Sequence, residues 1–420
     1  MKNPLHKRIG HHVRKYHRHF TKYLYERDTI LATLSVFVFL ILLGMIKLNF
    51  YVLNPLKLAL KDFDFNDIAY AKLEKGADSI DRRIAIVNVG DADREEIAYL
   101  IESVSAMQPK VIGLDILFEG EREEDKDSIL REVLKKTKNL VSVSRLIPVD
   151  DKIIVDPNYF DSSISIRGAA NLIGEDIGTI RHYVPFEEVS GKKYPHITSA
   201  IVREYDKSVY EKLENRHKAV ETINYTRKIN EESIRDLKGY QIIQSEDIMM
   251  GNVEDYLIKD KIVLLGYVNP NPNDIEDKKF TPMNHKYAGK SVPDMNGVVV
   301  QANIISMVLD NNYIKKTPKW VAWLVAVLIG WIHMSLFIRY YLEDHIWFHL
   351  VAKMAQVFSA IFFAYLGILI FDKFGIKLDM KYTLYVIILA VDVIYFYEAL
   401  VAWLHKKFGF KTVFHQQHHG

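Results

Sequence analysis

From residue 29 to residue 46 the chain reads TILATLSVFVFLILLGMI, 18 residues without a charge. A helix of about 20 residues, rising about 1.5 Å per residue, spans the roughly 30 Å hydrocarbon core of a bilayer. With a few flanking residues this run is long enough to cross. A buried helix of a soluble domain is usually shorter and keeps a polar face. A cleaved leader fits poorly as well, because the following KLNFYVLN offers no small-x-small cleavage site. The run reads as an uncleaved anchor, which forces the segments on its two sides into different compartments.

Three further apolar runs lie at 320–338, 350–371 and 382–404, with Trp320, Trp323, Tyr340, Tyr341, Trp347, Tyr382 and Trp403 at their ends. Aromatic rings at both ends of a span match the preference of such side chains for the membrane–water interface. The mean hydropathy of −0.03 over 420 residues is therefore an average of four spans and a polar middle. Orientation follows from the basic residues. The first 28 residues carry a net charge of +6, and the tail after Leu404 adds Lys406, Lys407 and Lys411 with no acid. Both ends are expected in the cytoplasm of a cell inner or plasma membrane. The reading is then a basic cytoplasmic tail at 1–28, a span at 29–53 and an extracytoplasmic domain at 54–317. Spans at 318–341, 349–371 and 382–404 and a cytoplasmic tail at 405–420 follow.

The overall charge of +2 gives no case for nucleic acid, and the basic, His-rich start next to a span suits anionic lipid better. With no cysteine there can be no disulfide, thiolate metal site or cysteine nucleophile, so the domain must hold together by packing. The closing HQQHHG is a weak metal signal, and metal binding stays open. Nothing calls for a cofactor.

The middle segment reads as an α/β domain. RRIAIVNVG, KVIGLDILFEG and LVSVSRL are buried-strand runs separated by helical patterns, and the late KDKIVLLGYV is a fourth. This βαβαβ opening predicts a mostly parallel sheet in a three-layer domain, with the crossovers right-handed. TIRHYVPF and ETINYTR read as further strands, HITSAIVREYD as a helix, and the charged stretch 207–218 as a surface excursion or long hairpin.

Four blocks carry a resemblance to the CHASE-two sensor domain (cyclase/histidine-kinase-associated sensing extracellular, second type). IAIVNVGDAD followed by PKVIGLDILFEG resembles the family's strand–acid–helix–strand opening, and GAANLIGEDIGTIRHYVPF its central asparagine, acid, glycine and arginine stretch. INYT is similar to its short strand ending in a turn. KIVLLGYV, DKKFTPMN and MNGVVVQANIISMVLDNNYI resemble its closing strand, loop and helix. One span before the domain and three after it agree with the family layout. The resemblance implies an extracytoplasmic sensor that feeds a cytoplasmic output. Such proteins usually continue into a kinase, cyclase or phosphodiesterase domain, whereas only a short tail follows the fourth span here, so the output is expected from a separate partner. Two departures stand out: the family's Trp-Pro-rich turn is missing, and Gln301 stands where a histidine is common.

Acids gather where the parallel strands end, the edge at which open α/β sheets bind ligands. Asp91 and Asp93 follow the first strand, Asp115 and Glu119 the second, and Asp274, Asp277 and Thr281 lie after the late strand. They form the candidate ligand site, with capping of helices and loops as the competing role. No nucleophile elbow or zinc-type spacing supports catalysis, so an enzyme is not expected. His182, His196 and His285 read as surface or loop residues. Within the spans, His333, Lys353, Asp392 and Glu398 are ionisable groups at depth, which usually face other helices or form a pathway. The reading is a membrane sensor for an extracytoplasmic small ligand or envelope component, acting as a homodimer. A structural envelope scaffold and a small ion or proton pathway are the alternatives.

Overall fold

The computed structural model describes residues 23–45, 64, 66–72, 79–150, 152–156, 158–174, 178–230, 233, 238–271, 273–284, 292–342 and 347–414. The chain divides into two compact units, Leu56–Ile314 and a second made of Met1–Pro55 with Lys315–Gly420. The elements run, in chain order, α1 (Arg27–Met45), α2 (Asp67–Lys72), β1 (Ile80–Asn88), α3 (Arg94–Ala106), β2 (Val111–Leu114), α4 (Glu124–Lys136), β3 (Leu140–Val149), β4 (Lys152–Asp156) and β5 (Ile166–Ala169). Next come β6 (His182–Tyr183), β7 (Phe186–Val189), β8 (Lys192–Pro195), α5 (Ile197–Tyr205), α6 (Lys207–Glu214), β9 (Glu221–Thr222), β10 (Gly239–Gln244) and α7 (Ser245–Met249). The remainder are β11 (Ile262–Gly266), β12 (Lys278–Lys279), β13 (Met295–Asn296), α8 (Gly297–Leu309), β14 (Lys315–Lys316), α9 (Lys319–Leu342), α10 (Phe348–Phe374), β15 (Ile376–Lys377) and α11 (Lys381–Phe408).

The first unit is built on a seven-stranded sheet of order β10-β1-β11-β2-β3-β4, with β5 beside β3. Every pairing in it is parallel except β3 with β4. The strands β1 and β2 are not neighbours. The late strand β11 runs between them, with Ile84 opposite Ile262 on one side and Ile262 opposite Val111 on the other. All five of its residues are buried, as a strand covered on both faces requires.

Side-chain alternation sends Ala85, Val87, Ile112, Leu114, Val263 and Leu265 to one face, where they pack with Leu100, Ile101 and Val104 of α3 and with Leu130 and Leu134 of α4. On the other face the helices come so close that two strand positions must lack a side chain. A Cβ on Gly113 would lie 2.6 Å from Ile201 Cδ1 of α5, and one on Gly266 would lie 2.9 Å from Val298 Cβ of α8. Helices therefore cover both faces.

Several local expectations are corrected. The charged stretch after residue 206 is the helix α6, because the Asp206 carboxylate accepts the Ser208 and Val209 amides at 2.9 and 3.2 Å and starts it. The ETINYTR segment keeps only the two-residue β9 as strand. Beyond it the amides of Thr226 and Arg227 donate to the buried Asn303 side chain of α8, both at 3.0 Å, so the ladder has no use of them. The TIRHYVPF segment is reduced to β6 for strand structure before the β7–β8 hairpin, whose turn at Ser190 and Gly191 has positive φ at both residues.

Among its described residues the second unit holds four helices long and apolar enough to cross a membrane, α1, α9, α10 and α11, of 19, 24, 27 and 28 residues. Their shared core includes Ala32, Val36, Ala326, Val386, Ala390 and Ile394. Gly330 lets α9 and α11 approach closely, since a Cβ there would stand 2.5 Å from Val386 Cγ1. The C-terminal segment is less tail-like than its charge suggested. Residues 405–408 continue α11, and Phe414 is buried against the rings of Tyr341 and Tyr397. The Val413 amide and the Tyr397 hydroxyl both donate to the buried Asp28 carboxylate at 2.7 Å.

One brace of the α/β unit makes a stability prediction. Arg94, at the start of α3, donates to the Asp127 carboxylate at 2.5 Å and to the Gly120 carbonyl at 2.7 Å, with both charged side chains buried. Asp127→Ala strands the guanidinium, which should cost about 3–5 kcal/mol. A clearly lowered thermal midpoint of the purified full-length chain in detergent is the expected result.

Candidate functional site

A cleft of about 550 Å³ opens at the carboxyl ends of β2 and β5 and where the parallel part of β3 ends, lined among others by Asp115, Ser144, Arg145, Asn171, Asp277 and Lys279. Each side chain reaches it through a distinct feature of the sheet. Asp115 is the first residue beyond β2, and its amide still donates to the Leu265 carbonyl of β11 at 2.9 Å. Ser144 and Arg145 stand where β3 exchanges its parallel partner β5 for the antiparallel β4. Asn171 follows β5 and substitutes for a strand: its side chain accepts from the Leu146 amide at 2.7 Å and donates to the Leu146 carbonyl at 2.9 Å.

Asp277 arrives from the far end of the chain. It sits in the left-handed region at φ 51°, and its carboxylate accepts the Gly297 amide at 3.1 Å. Gly297 is the first residue of α8, so the carboxylate meets the positive end of the helix dipole. A Cβ on Gly297 would stand 3.2 Å from Asp277 Oδ2 and 3.8 Å from Asp115 Oδ2. The two acids thus converge on one helix terminus, where glycine leaves them room. Lys279 Nζ lies 3.8 Å from Asp277, and Arg145 pairs with Glu119 at 3.3 Å on the exposed rim. The cleft offers two carboxylates and two cations within one polar surface.

The other acids of the sequence reading occupy other posts. Asp91 is exposed and does not line the cleft. Asp93 caps α3: it accepts the Glu95 and Glu96 amides at 2.9 and 3.0 Å, while Glu96 accepts the Asp93 amide at 2.8 Å. Asp274 organises its loop, accepting the Glu276 amide at 2.9 Å and the Tyr267 hydroxyl at 2.8 Å, contacts that hold its carboxyl below the usual range. Thr281 is buried and donates its amide and hydroxyl to Asp294 at 2.8 and 2.5 Å, closing the loop that delivers α8. Arg145, Asn171 and Lys279 were not singled out from sequence. Asn171 lay inside a quoted motif, while nothing local marks an arginine within a strand or one lysine of a pair as facing a cleft.

Across Asn171 lies a more apolar pocket of about 290 Å³, lined by Leu146, Ile153, Leu172, Val184 and His196. His196 is not the surface residue expected. It is buried at the N-cap of α5, and its Nδ1 accepts the Thr198 amide at 3.3 Å. Burial depresses its basicity to about 3, so the imidazole is neutral. His182 lies partly buried in β6, and His285 lies outside the described residues. Gln301 is buried in α8 with no partner for its Oε1 among the described residues. Among the described residues no group of three or more His, Asp or Glu side chains is placed to hold a metal ion.

The polar residues of the spans pair separately. Lys353 of α10 binds Asp392 of α11 at 2.9 Å, and Glu398 accepts the Tyr341 hydroxyl of α9 at 2.6 Å. His333 Nδ1 lies 2.9 Å from the Ile329 carbonyl of its own helix and stacks edgewise near Phe337. Asp392 and Glu398 therefore serve different partners.

The Thr281–Asp294 clasp should make stability depend on pH. Burial pushes the Asp294 carboxyl up from 3.8 to about 7, against the pull of its Thr281 and Asn284 donors. The folded chain then holds this proton more tightly than the unfolded chain does. The contribution is complete below about pH 4 and is lost as pH rises through about 7. Asp294→Asn, which keeps a neutral side chain, should flatten that slope in a series of thermal midpoints.

Comparison with known proteins bears on the whole assembly. No curated protein and no solved structure matches the chain. The CHASE2 domain model matches residues 36–338, a span that takes in the complete α/β unit, part of α1 and most of α9. With well over half of its length matched to that sensory domain, the chain belongs to the CHASE2 domain family.

Proposed function

We propose that this chain is a multi-pass membrane sensor whose α/β unit lies outside the cytoplasm and binds a small polar ligand in the cleft between Asp115 and Asp277. Membership in a sensory family and four apolar helices support the membrane sensor. The observation that carries the ligand reading is the meeting of Asp115, Asp277, Arg145 and Lys279 at the carboxyl edge of a parallel sheet. Carboxylates and cations set together suit a ligand with both charges, such as a small molecule bearing an amine and a carboxylate. The role is binding rather than catalysis.

Transmission follows from connectivity. The helix α8 begins at the cleft with Gly297 and ends at Leu309, and the chain then enters α9 at Lys319. A ligand that favours one placement of Asp277 favours one placement of the α8 terminus, and it shifts the equilibrium only by its different affinity for the two. The signal then passes to a separate cytoplasmic or membrane partner docking at the basic ends. In the spans, Asp392 and Glu398 are each engaged in a pairwise contact, which favours bundle cohesion over an ion pathway.

The test is a thermal-shift screen of the full-length chain in lipid nanodiscs against amino acids, amines, dicarboxylates and metal ions. At 100 times its dissociation constant, a true ligand stabilises by about 2.7 kcal/mol. A zwitterion should raise the midpoint, Asp277→Asn and Asp115→Asn should abolish the shift, and Asp91→Asn should leave it. No shift with any compound would sink the small-ligand reading. For topology, an alkaline-phosphatase fusion after Lys315 should be active in cells, and an inactive fusion would reverse the assigned sides.

A further inference from the structure

An ion pair inside a membrane bundle is normally turned toward other helices, because lipid can satisfy neither charge. The Lys353–Asp392 pair is not enclosed. At 2.9 Å separation the two side chains remain 53% and 50% exposed. Asp392 lies well inside α11 (Lys381–Phe408), and Lys353 reaches it from the second turn of α10 (Phe348–Phe374). Apart from the exposed His349, 2.9 Å from the Tyr395 hydroxyl, the surface around them is apolar: Leu350, Val357 and Ile361 of α10 and Ile388 and Phe396 of α11 are each at least half exposed. These residues recur at three- and four-residue intervals beside Lys353 and Asp392, so they share a helix face with the pair. A face made only for lipid would carry no charge.

We infer that this α10–α11 face is the interface of a twofold homodimer, with a second copy of the chain covering Lys353 and Asp392. The choice of a second copy rests on charge. A face that carries one cation and one anion side by side is complementary to itself. Rotated by a twofold axis that runs along the bilayer normal between Lys353 and Asp392, the pair meets its copy in reversed order, and each carboxylate faces two ammonium groups. Desolvated charges then gain partners in place of hydrocarbon, and the apolar residues around them pack helix on helix. The inference does not rest on the ligand reading, since every residue in it belongs to the bundle.

The absence of cysteine makes the test clean. Ile388→Cys places a single thiol one turn from Asp392, and Val38→Cys places one on α1, where Val38 is 55% exposed. Oxidised in native membranes, the full-length Ile388→Cys chain should give a disulfide-linked dimer, and the Val38→Cys chain should stay monomeric. Adding Asp392→Asn to Ile388→Cys should lower the cross-linked fraction about fivefold, in the range of a lost polar contact between membrane helices. The swap Lys353→Asp with Asp392→Lys, which keeps both charges, should restore it and so separates a lost interface from a misfolded bundle. Cross-linking of both thiols equally, or indifference to Asp392→Asn, would overturn the inference. So would a monomer throughout, with lipid phosphate covering the pair, or an adduct with a protein of another size.

Discussion

The sheet of the α/β unit is closed by a strand that enters last. When β11 slots between β1 and β2, it pairs with Ile84–Asn88 on one side and Val111–Leu114 on the other. Its five residues are buried on both faces, so the late part of the chain is fixed at the centre of the fold. The loop after β11 therefore emerges beside the end of β2. That places Asp277 near Asp115, although 162 positions separate their numbers in the chain. Removing the central strand from the arrangement would remove the cleft with it.

The helix α8 converts this register into a connected framework. It is buried along nearly its whole length, yet it carries Gln301, Asn303 and Ser306. A buried polar group costs free energy unless it is bonded, and two of these are bonded to distant segments. Asn303 accepts the Thr226 and Arg227 amides and donates to the Arg227 carbonyl at 2.8 Å. Ser306 donates to Asp81 at the start of β1 at 2.8 Å and lies 3.1 Å from the Tyr240 hydroxyl of β10. The polar face thus specifies which segments dock on an otherwise interchangeable apolar helix. It also ties the helix that begins at the cleft to the edge of the sheet.

The bundle follows different rules. Lipid removes the hydrophobic drive between helices, so close packing and polar contacts decide which faces meet. Gly330 against Val386 supplies the close packing, and Asp28 with Tyr397 and Val413 supplies a polar lock. The helix α10 packs chiefly on α11, through Gln356 donating to the Ile387 and Ile388 carbonyls and through the Lys353–Asp392 pair. Most of its remaining surface is apolar and open.

Much of the architecture is written locally. Four long, strongly apolar runs read as membrane helices, because a helix satisfies each backbone amide within the segment while its apolar side chains leave water. The strands β1, β2, β3 and β11 are equally visible as short apolar runs, and Asp93 announces α3 through its capping pattern. The strands β4 and β10 were not picked out, since they lie at sheet edges, and the strands read at TIRHYVPF and ETINYTR shrink to the two-residue β6 and β9. At the cleft, Asp115 and Asp277 could be picked out as acids following apolar strands. Arg145, Asn171 and Lys279 could not, because their role depends on which strands are neighbours. The sequence by itself determined the elements and the membrane helices, through hydrophobic periodicity and length. Only the tertiary structure decided the sheet order, and with it which charges meet, because strand pairing joins residues far apart in the chain through backbone hydrogen bonds that every amino acid can make.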